Sequence, residues 1–383
     1  MSYRTWVSGE NTPKVSFARQ GAGFHAELKR RVDEYFQSRD LSRRATAAMV
    51  AKSIFWLGAA VSLYAGVIFS DLGALPSLAL SMALGFCIAC IGFNVGHDAI
   101  HGAYSERPWI NRVVGWSFQL IGASAYTWSL SHNVVHHTYT NIPGHDGDLE
   151  PGPLLRFHEG QKLRAYHRLQ HFYAWPLYCF VGLLWVYTKD FEQALRRDPR
   201  TGKRIGLEGW LNVIAAKVLH VGLLVVVPLL TMQRFEWWQL LIGYLGLQFV
   251  AGFTLSIVFQ LAHVVEGPTM PLPASDGSMA DSWAAHQLRT TANFSPGSRA
   301  AQFICGGLNY QVEHHLFPKV CHVHYPAIAP IVAQTAREFG LPYYDHPSFL
   351  AGVRSHAREL MRLGNTGATT PSEEAALAPR LAA

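Results

Sequence analysis

The chain has 383 residues and a formal net charge of +6, yet only 15% of it is Asp, Glu, Lys or Arg, against about 25% in ordinary soluble domains. That deficit argues against a soluble enzyme, and basic residues gathered beside apolar runs argue against a nucleic-acid-binding domain, so no nucleic acid partner is expected. Five scattered cysteines make no disulfide framework.

Residues 1–46 are charged and lack a continuous apolar core, so they do not read as a secretory signal and are expected to stay in the mature protein, on the cytosolic side. Within them Phe24, Leu28, Val32 and Phe36 recur at helical spacing between basic residues, which predicts an amphipathic helix near the membrane surface. Residues 47–363 read as a membrane-bound domain. No charged residue occurs from Ser53 to Ser70, from Leu72 to Gly96 or from Trp237 to Val265, and Trp210 to Gln233 is broken only by Lys217. About 20 apolar residues span a bilayer as a helix, so these four stretches predict four transmembrane helices, arranged as two hairpins. Cys87 and Cys90 have CxxC form, but inside an apolar run they read as small packing residues.

Arg and Lys crowd the segment before Ser53 and the loop Lys189 to Arg204, whereas the turn from Asp71 to Pro76 has none. By the positive-inside rule both hairpins start and end in the cytoplasm. Two further aromatic segments, Val113 to Leu130 and Phe172 to Thr188, are nearly long enough to cross. One extra crossing would invert the last hairpin, so both are expected to lie in the interface or to re-enter. The expected class is therefore an all-α integral membrane protein with four transmembrane helices, interfacial helices and a cytosolic helical cap. Residues 364–383, rich in Ala, Thr and Pro, read as a disordered tail.

Histidines gather where the apolar runs end. His97 and His101 stand four apart as the second span finishes, His132, His136 and His137 repeat the spacing, and His314 and His315 follow Gln311. His263 sits where the last span returns to the cytoplasm. Four-residue spacing stacks imidazoles on one helix face, and all eight fall on one predicted side of the membrane. Eight imidazoles exceed the need of one metal but suit a pair, and neutral ligands cost less beside hydrocarbon than carboxylates do. Neither HExxH nor Glu-x-x-His occurs, which removes the common zinc-protease and soluble di-iron readings. A metal transporter would hold its ligands near mid-membrane, not at helix ends.

With GHDAIHGAYS, SHNVVHHTYTN and LNYQVEHHLFP, the chain resembles the membrane-bound fatty acid desaturases, whose three histidine boxes match in order over roughly Val15 to Leu341. The resemblance implies two non-haem iron ions that use O2 to remove hydrogen from neighbouring methylenes of a fatty acyl chain, carried by a lipid or by CoA. It implies metal ligation by His97, His101, His132, His136, His137, His314 and His315, with His263 similar to an additional ligand. Gln311, where many desaturases carry histidine, resembles the front-end subgroup, which acts between an existing double bond and the carboxyl end. Asp98, Asp146, Asp148 and Glu313, and after them Asn94 and Asn309, are candidates to support the ligating rings, and Gln311 is a weak ligand or an orienting amide. His322 and His324 are expected only to pack or hydrogen-bond. No His-Pro-Gly-Gly haem motif occurs, so electrons are expected from a separate ferredoxin or cytochrome b5 with its reductase. A related hydroxylase or ketolase would use the same site and insert oxygen instead.

Overall fold

The structure, a computed structural model, describes residues 15–18, 22–150 and 152–366. Among the described residues four helices are long and apolar enough to cross a membrane: Ala47–Phe69, Ala74–Ile100, Leu207–Thr231 and Trp237–His263. The first starts at Thr46, whose side chain accepts from the Met49 N–H and satisfies one of the free donors of a helix start. Short turns join the first span to the second and the third to the fourth, giving the two expected hairpins.

The second and fourth spans make the closest contact. A Cβ on Gly85 would stand 2.2 Å from the Leu247 carbonyl oxygen, and one on Gly246 would stand 2.9 Å from Leu78 Cδ1. Small residues let the two backbones touch, which is how helices associate where lipid offers no hydrophobic drive. Outward faces carry Phe55, Val61, Leu75, Val218, Leu230 and Trp237, all exposed, a surface suited to lipid rather than water.

The two ambiguous segments are broken. The first comprises the helix Pro108–Gly115, a 3-10 turn to Ile121 and a left-handed turn at Gly122; the second comprises Gln170–Tyr178, with Pro176 inside it, and Val181–Leu184. Neither is a helix of membrane-spanning length. Lys217, the cation interrupting the third span, ties both to the bundle. Its Nζ lies 2.6 Å from Asp190 Oδ2 and donates to the Gly122 carbonyl, while Asp190 accepts from Ser124 N at 2.7 Å and Thr127 Oγ1 at 3.0 Å. A buried charge is tolerated when paired and fully hydrogen-bonded.

Helix Ala22–Gln37 departs from the expected membrane-surface position. Phe24, Leu28, Val32 and Phe36 are each at most 2% exposed and pack with Ala284, Leu288, Tyr325, Ile328 and Val332 in one core. Its apolar stripe covers protein, so the helix belongs to the cap above the histidines. The all-α class holds apart from one short parallel pair, Ala292–Phe294 with Tyr344–His346. The last helix, Phe349–Asn365, runs two residues past the expected boundary at 363. Arg156, fully buried, donates to the carbonyls of Leu363 and Thr366 and so caps the carbonyl end of that helix. The expected tail from 367 onward lies outside the described residues.

Leu28→Ala should lower thermal stability in detergent by about 2–5 kcal/mol, the usual cost of emptying a packed site. A loss under about 0.5 kcal/mol would show that the stripe does not carry the cap.

Candidate metal centre

Local backbone geometry aims the histidines. The second span widens into a π-helical turn over Gly92–Gly96 before His97, and His101 ends that helix just before Gly102 at φ +71°. Wide turns of this kind recur at functional sites. Glycine is required at Gly96, where a Cβ would stand 2.9 Å from Phe118 Cδ2 and 3.1 Å from Phe118 Cβ, while a Cβ at Gly92 would displace the tip of Ile121. The second cluster is π-helical too, over Ser129–His136. His132 and His136 stack there with centroids 4.9 Å apart, and His137 turns toward His101 at 4.8 Å and His315 at 4.4 Å. His263 closes the fourth span. His314 and His315 lie on the short helix Gln311–Leu316, where the Val312 N–H is capped by Asn293 Oδ1 at 2.9 Å.

All eight expected histidines are buried, and they meet in two sets. One nitrogen each from His97, His101, His132 and His314 lie within 4.8 Å of one another, and so do nitrogens of His136, His263 and His315. His137 stands between the sets, 4.6 Å from His314 and 4.4 Å from His315 by ring centroid.

Five Nδ1 atoms have partners: Asp148 Oδ2 for His132 at 3.3 Å, Asp146 Oδ2 for His136 at 2.8 Å, Gln287 Oε1 for His315 at 2.8 Å, the Tyr325 hydroxyl for His314 at 3.3 Å and the Thr290 carbonyl for His263 at 3.4 Å; those of His97 and His137 are buried without one among the described residues. Among the described residues the Nε2 atoms of His97, His101, His132, His136, His137 and His314 are buried with no partner. Buried polar atoms are normally satisfied, so six such nitrogens in one space fit bound metal. Burial also lowers the pKa values of His101, His132, His137, His314 and His315, favouring the neutral form that ligates. For His136 burial is again the largest influence, but the charge and hydrogen bond of Asp146 with the charge of Asp148 together outweigh it and raise the value.

Among the supporting candidates, Asp146 and Asp148 hold rings as described. Asp146 also accepts from the backbone of Asn141 and Asp148, and Asp148 pairs with Lys189 Nζ at 3.0 Å. The Gln311 amide nitrogen lies 3.2 Å from His263 Nε2 and 3.4 Å from His315 Nε2, on the inner side of the cluster. The other candidates bond elsewhere. Glu313 binds Asn293 Nδ2 and the Tyr343 hydroxyl, and burial raises its pKa to about 7. Asn94 donates to the carbonyls of Cys90 and Ile304, clamping the π turn, and Asn309 to that of Ser295. Asp98 stands 3.9 Å from His97 Nδ1, beyond hydrogen-bond reach, and instead accepts from His322 N and Nδ1. Asp98, Cys321 and His322 form a third compact set, but His322 Nε2 already faces the Lys52 ammonium at 3.0 Å, so this set reads as scaffold. His322 therefore hydrogen-bonds as expected, and so does His324, to the Arg44 carbonyl.

Sequence reasoning missed Gln287, Tyr325 and Trp128, the last stacked on His132 at 4.2 Å. Gln287 and Tyr325 stand 28 and 11 residues from the rings they hold, too far for any helical spacing to flag them.

The model of the fatty acid desaturase family matches residues 73–347. The chain is similar to an sn-1 linoleoyl-lipid 6-desaturase of Arthrospira platensis, 34% identical over 95% of this chain and 98% of the relative. It is also similar to an sn-1 linoleoyl-lipid 6-desaturase of Synechocystis, 36% identical over 90% and 96%, and to an acyl-lipid (8-3)-desaturase of Physcomitrium patens, 35% identical over 90% and 72%.

Asp146→Asn removes the charge that fixes the His136 ring. Metal retention against a chelator should weaken about 10- to 100-fold, measured by metal content after dialysis; retention equal to wild type would contradict the role given to Asp146.

Proposed function

The chain belongs to the fatty acid desaturase family, and from that membership we propose that it is a di-iron, O2-dependent acyl-lipid desaturase of the front-end type, supplied with electrons by a separate protein. It is an oxidoreductase that introduces double bonds into fatty acids. The acyl-lipid and front-end parts rest on the relatives' names and on Gln311 in the third box.

The observation that carries the two-metal reading is the inward set of unpartnered Nε2 atoms. In this reading His97, His101, His132 and His314 hold one iron, His136, His263 and His315 hold the other, and His137 serves from between them. Bound iron would supply the redox chemistry that activates O2: two hydrogens would leave adjacent methylenes, and O2 would take them with two electrons from the donor and two protons to form two waters. Asp146, Asp148, Gln287 and Tyr325 keep the Nδ1 protons of their rings outward and the lone pairs inward. Trp128, flat against His132, covers that ring with apolar surface. Gln311 contributes a neutral amide beside His263 and His315, which adds no charge at the edge of the hydrocarbon.

We orient the histidine end toward the cytoplasm, from the lysines and arginines before the first span and before the third, and count four crossings. The exposed Lys203 and Arg204 then face an acidic ferredoxin or cytochrome b5. Charge attraction of this kind raises association rates at low salt.

Expressed in a host with a competent donor, the chain should add a double bond to membrane acyl lipids, read by gas chromatography of the fatty acids, and His136→Ala should abolish it. Hydroxylated products in place of alkenes would overturn the desaturase reading. The double variant Lys203→Gln/Arg204→Gln should slow reduction by the donor at low salt and match wild type at high salt; equal rates at low salt would remove this surface from donor docking.

A further inference from the structure

Each set of histidines has one ring whose Nδ1 bonds a carboxylate, and the two carboxylates are not alike. Asp146 holds His136 at 2.8 Å, its side chain is 1% exposed, and its other contacts are the backbone N–H groups of Asn141 and Asp148. Among the described residues it forms no ion pair with a Lys or Arg. Asp148 holds His132 at 3.3 Å, its side chain is 17% exposed, and its second oxygen takes the Lys189 ammonium at 3.0 Å. The same ammonium lies 5.0 Å from the centre of the Trp185 ring, which helps to fix it in place. Asp98, 3.9 Å from His97, turns to His322 instead. The other Nδ1 partners, Gln287, Tyr325 and the Thr290 carbonyl, are neutral and buried.

This asymmetry has an electronic consequence. A carboxylate that accepts the Nδ1 proton makes the ring a stronger donor at Nε2, which favours the higher oxidation state of a metal bound there. An ammonium on that carboxylate draws its charge away, so the ring in front of it donates less. The longer bond to His132 agrees. Asp148 is also, of the five Nδ1 partners, the one whose side chain reaches solvent, and Lys189 opens the basic segment that carries Lys203 and Arg204.

We propose that Lys189 is a positioning residue that acts through Asp148 on the His132 ring and makes the iron of that set the easier one to reduce, so that the first electron from the donor goes there. The inference rests on the two-metal reading of the site. No bond is made or broken in the step: the reduced donor protein gives up one electron and one ferric ion becomes ferrous, and a second electron reduces the other iron in the same way.

The test is a potentiometric titration of the purified, iron-loaded protein in detergent, followed by the electron paramagnetic resonance of the half-reduced state, for wild type, Lys189→Met and Lys189→Arg. Wild type should reduce in two one-electron steps. A unit charge roughly 10 Å away is worth about tenfold in an equilibrium at the effective dielectric of a protein, or about 59 mV for one electron. Lys189→Met should lower the higher step by about that amount and bring the two steps together, at the iron content of wild type. Lys189→Arg, which keeps the charge, should keep the separation. With two irons bound, an unchanged separation in Lys189→Met overturns the proposal, and so does a single two-electron step in wild type. The same narrowing in Lys189→Arg also overturns it, because contacts rather than charge would then be the cause. If Lys189→Met does not accumulate, Lys189→Gln decides by the same comparison. A wild type that binds fewer than two irons per chain sinks the two-metal reading itself, a separate outcome.

Discussion

A neutral imidazole carries one proton on two nitrogens, and a histidine that is to ligate through Nε2 must keep that proton on Nδ1. Here the partners of Nδ1 come from all over the fold. Asp146 and Asp148 follow the second cluster, Gln287 lies on a cap helix, Tyr325 starts another, and Thr290 offers a backbone carbonyl. Each outward bond turns a lone pair inward, and the inward lone pairs define the site. The cap helices therefore do more than cover the histidines: they bring the partners that settle the tautomers of His263, His314 and His315.

The membrane part serves the same end by holding three backbone segments at one height. The second and fourth spans touch at Gly85 and Leu247, so His97 and His263, at corresponding ends of the two helices, finish on one side of the bundle. The π-helical turn over Gly92–Gly96 swings His97 and His101 toward the second cluster. The broken segment from Pro108 to Trp128 packs Phe118 on Gly96 and delivers Trp128 to His132. The buried pair of Lys217 and Asp190 anchors that segment through Gly122, Ser124 and Thr127. A substitution in the third span can therefore reach the histidines through a chain of contacts that touches no ligand.

Lys189 joins the two regions. It pairs with Asp148, which holds His132, and lies over the Trp185 ring.

Runs of uncharged apolar residues of bilayer length determined the four spans, because lipid admits only helices whose backbone bonds are internal. Histidines at four-residue spacing near the ends of those runs determined which rings gather, since spacing along a helix is local. Asp146 and Asp148, ten and sixteen residues from their rings, were legible as carboxylates in the loop that follows the second cluster, not through helical spacing. Only the tertiary structure decided the rest. Whether the stripe of Phe24 to Phe36 meets lipid or protein depends on Tyr325 and Ile328, about 300 residues away, because an apolar face looks the same whatever covers it. Glu313 directly precedes His314 and His315 in sequence, yet faces Asn293 and Tyr343, because consecutive residues on a helix point about 100° apart. Gln287 and Tyr325 carry no repeating pattern, and their roles exist only where packing from distant segments sets His315 and His314 beside them.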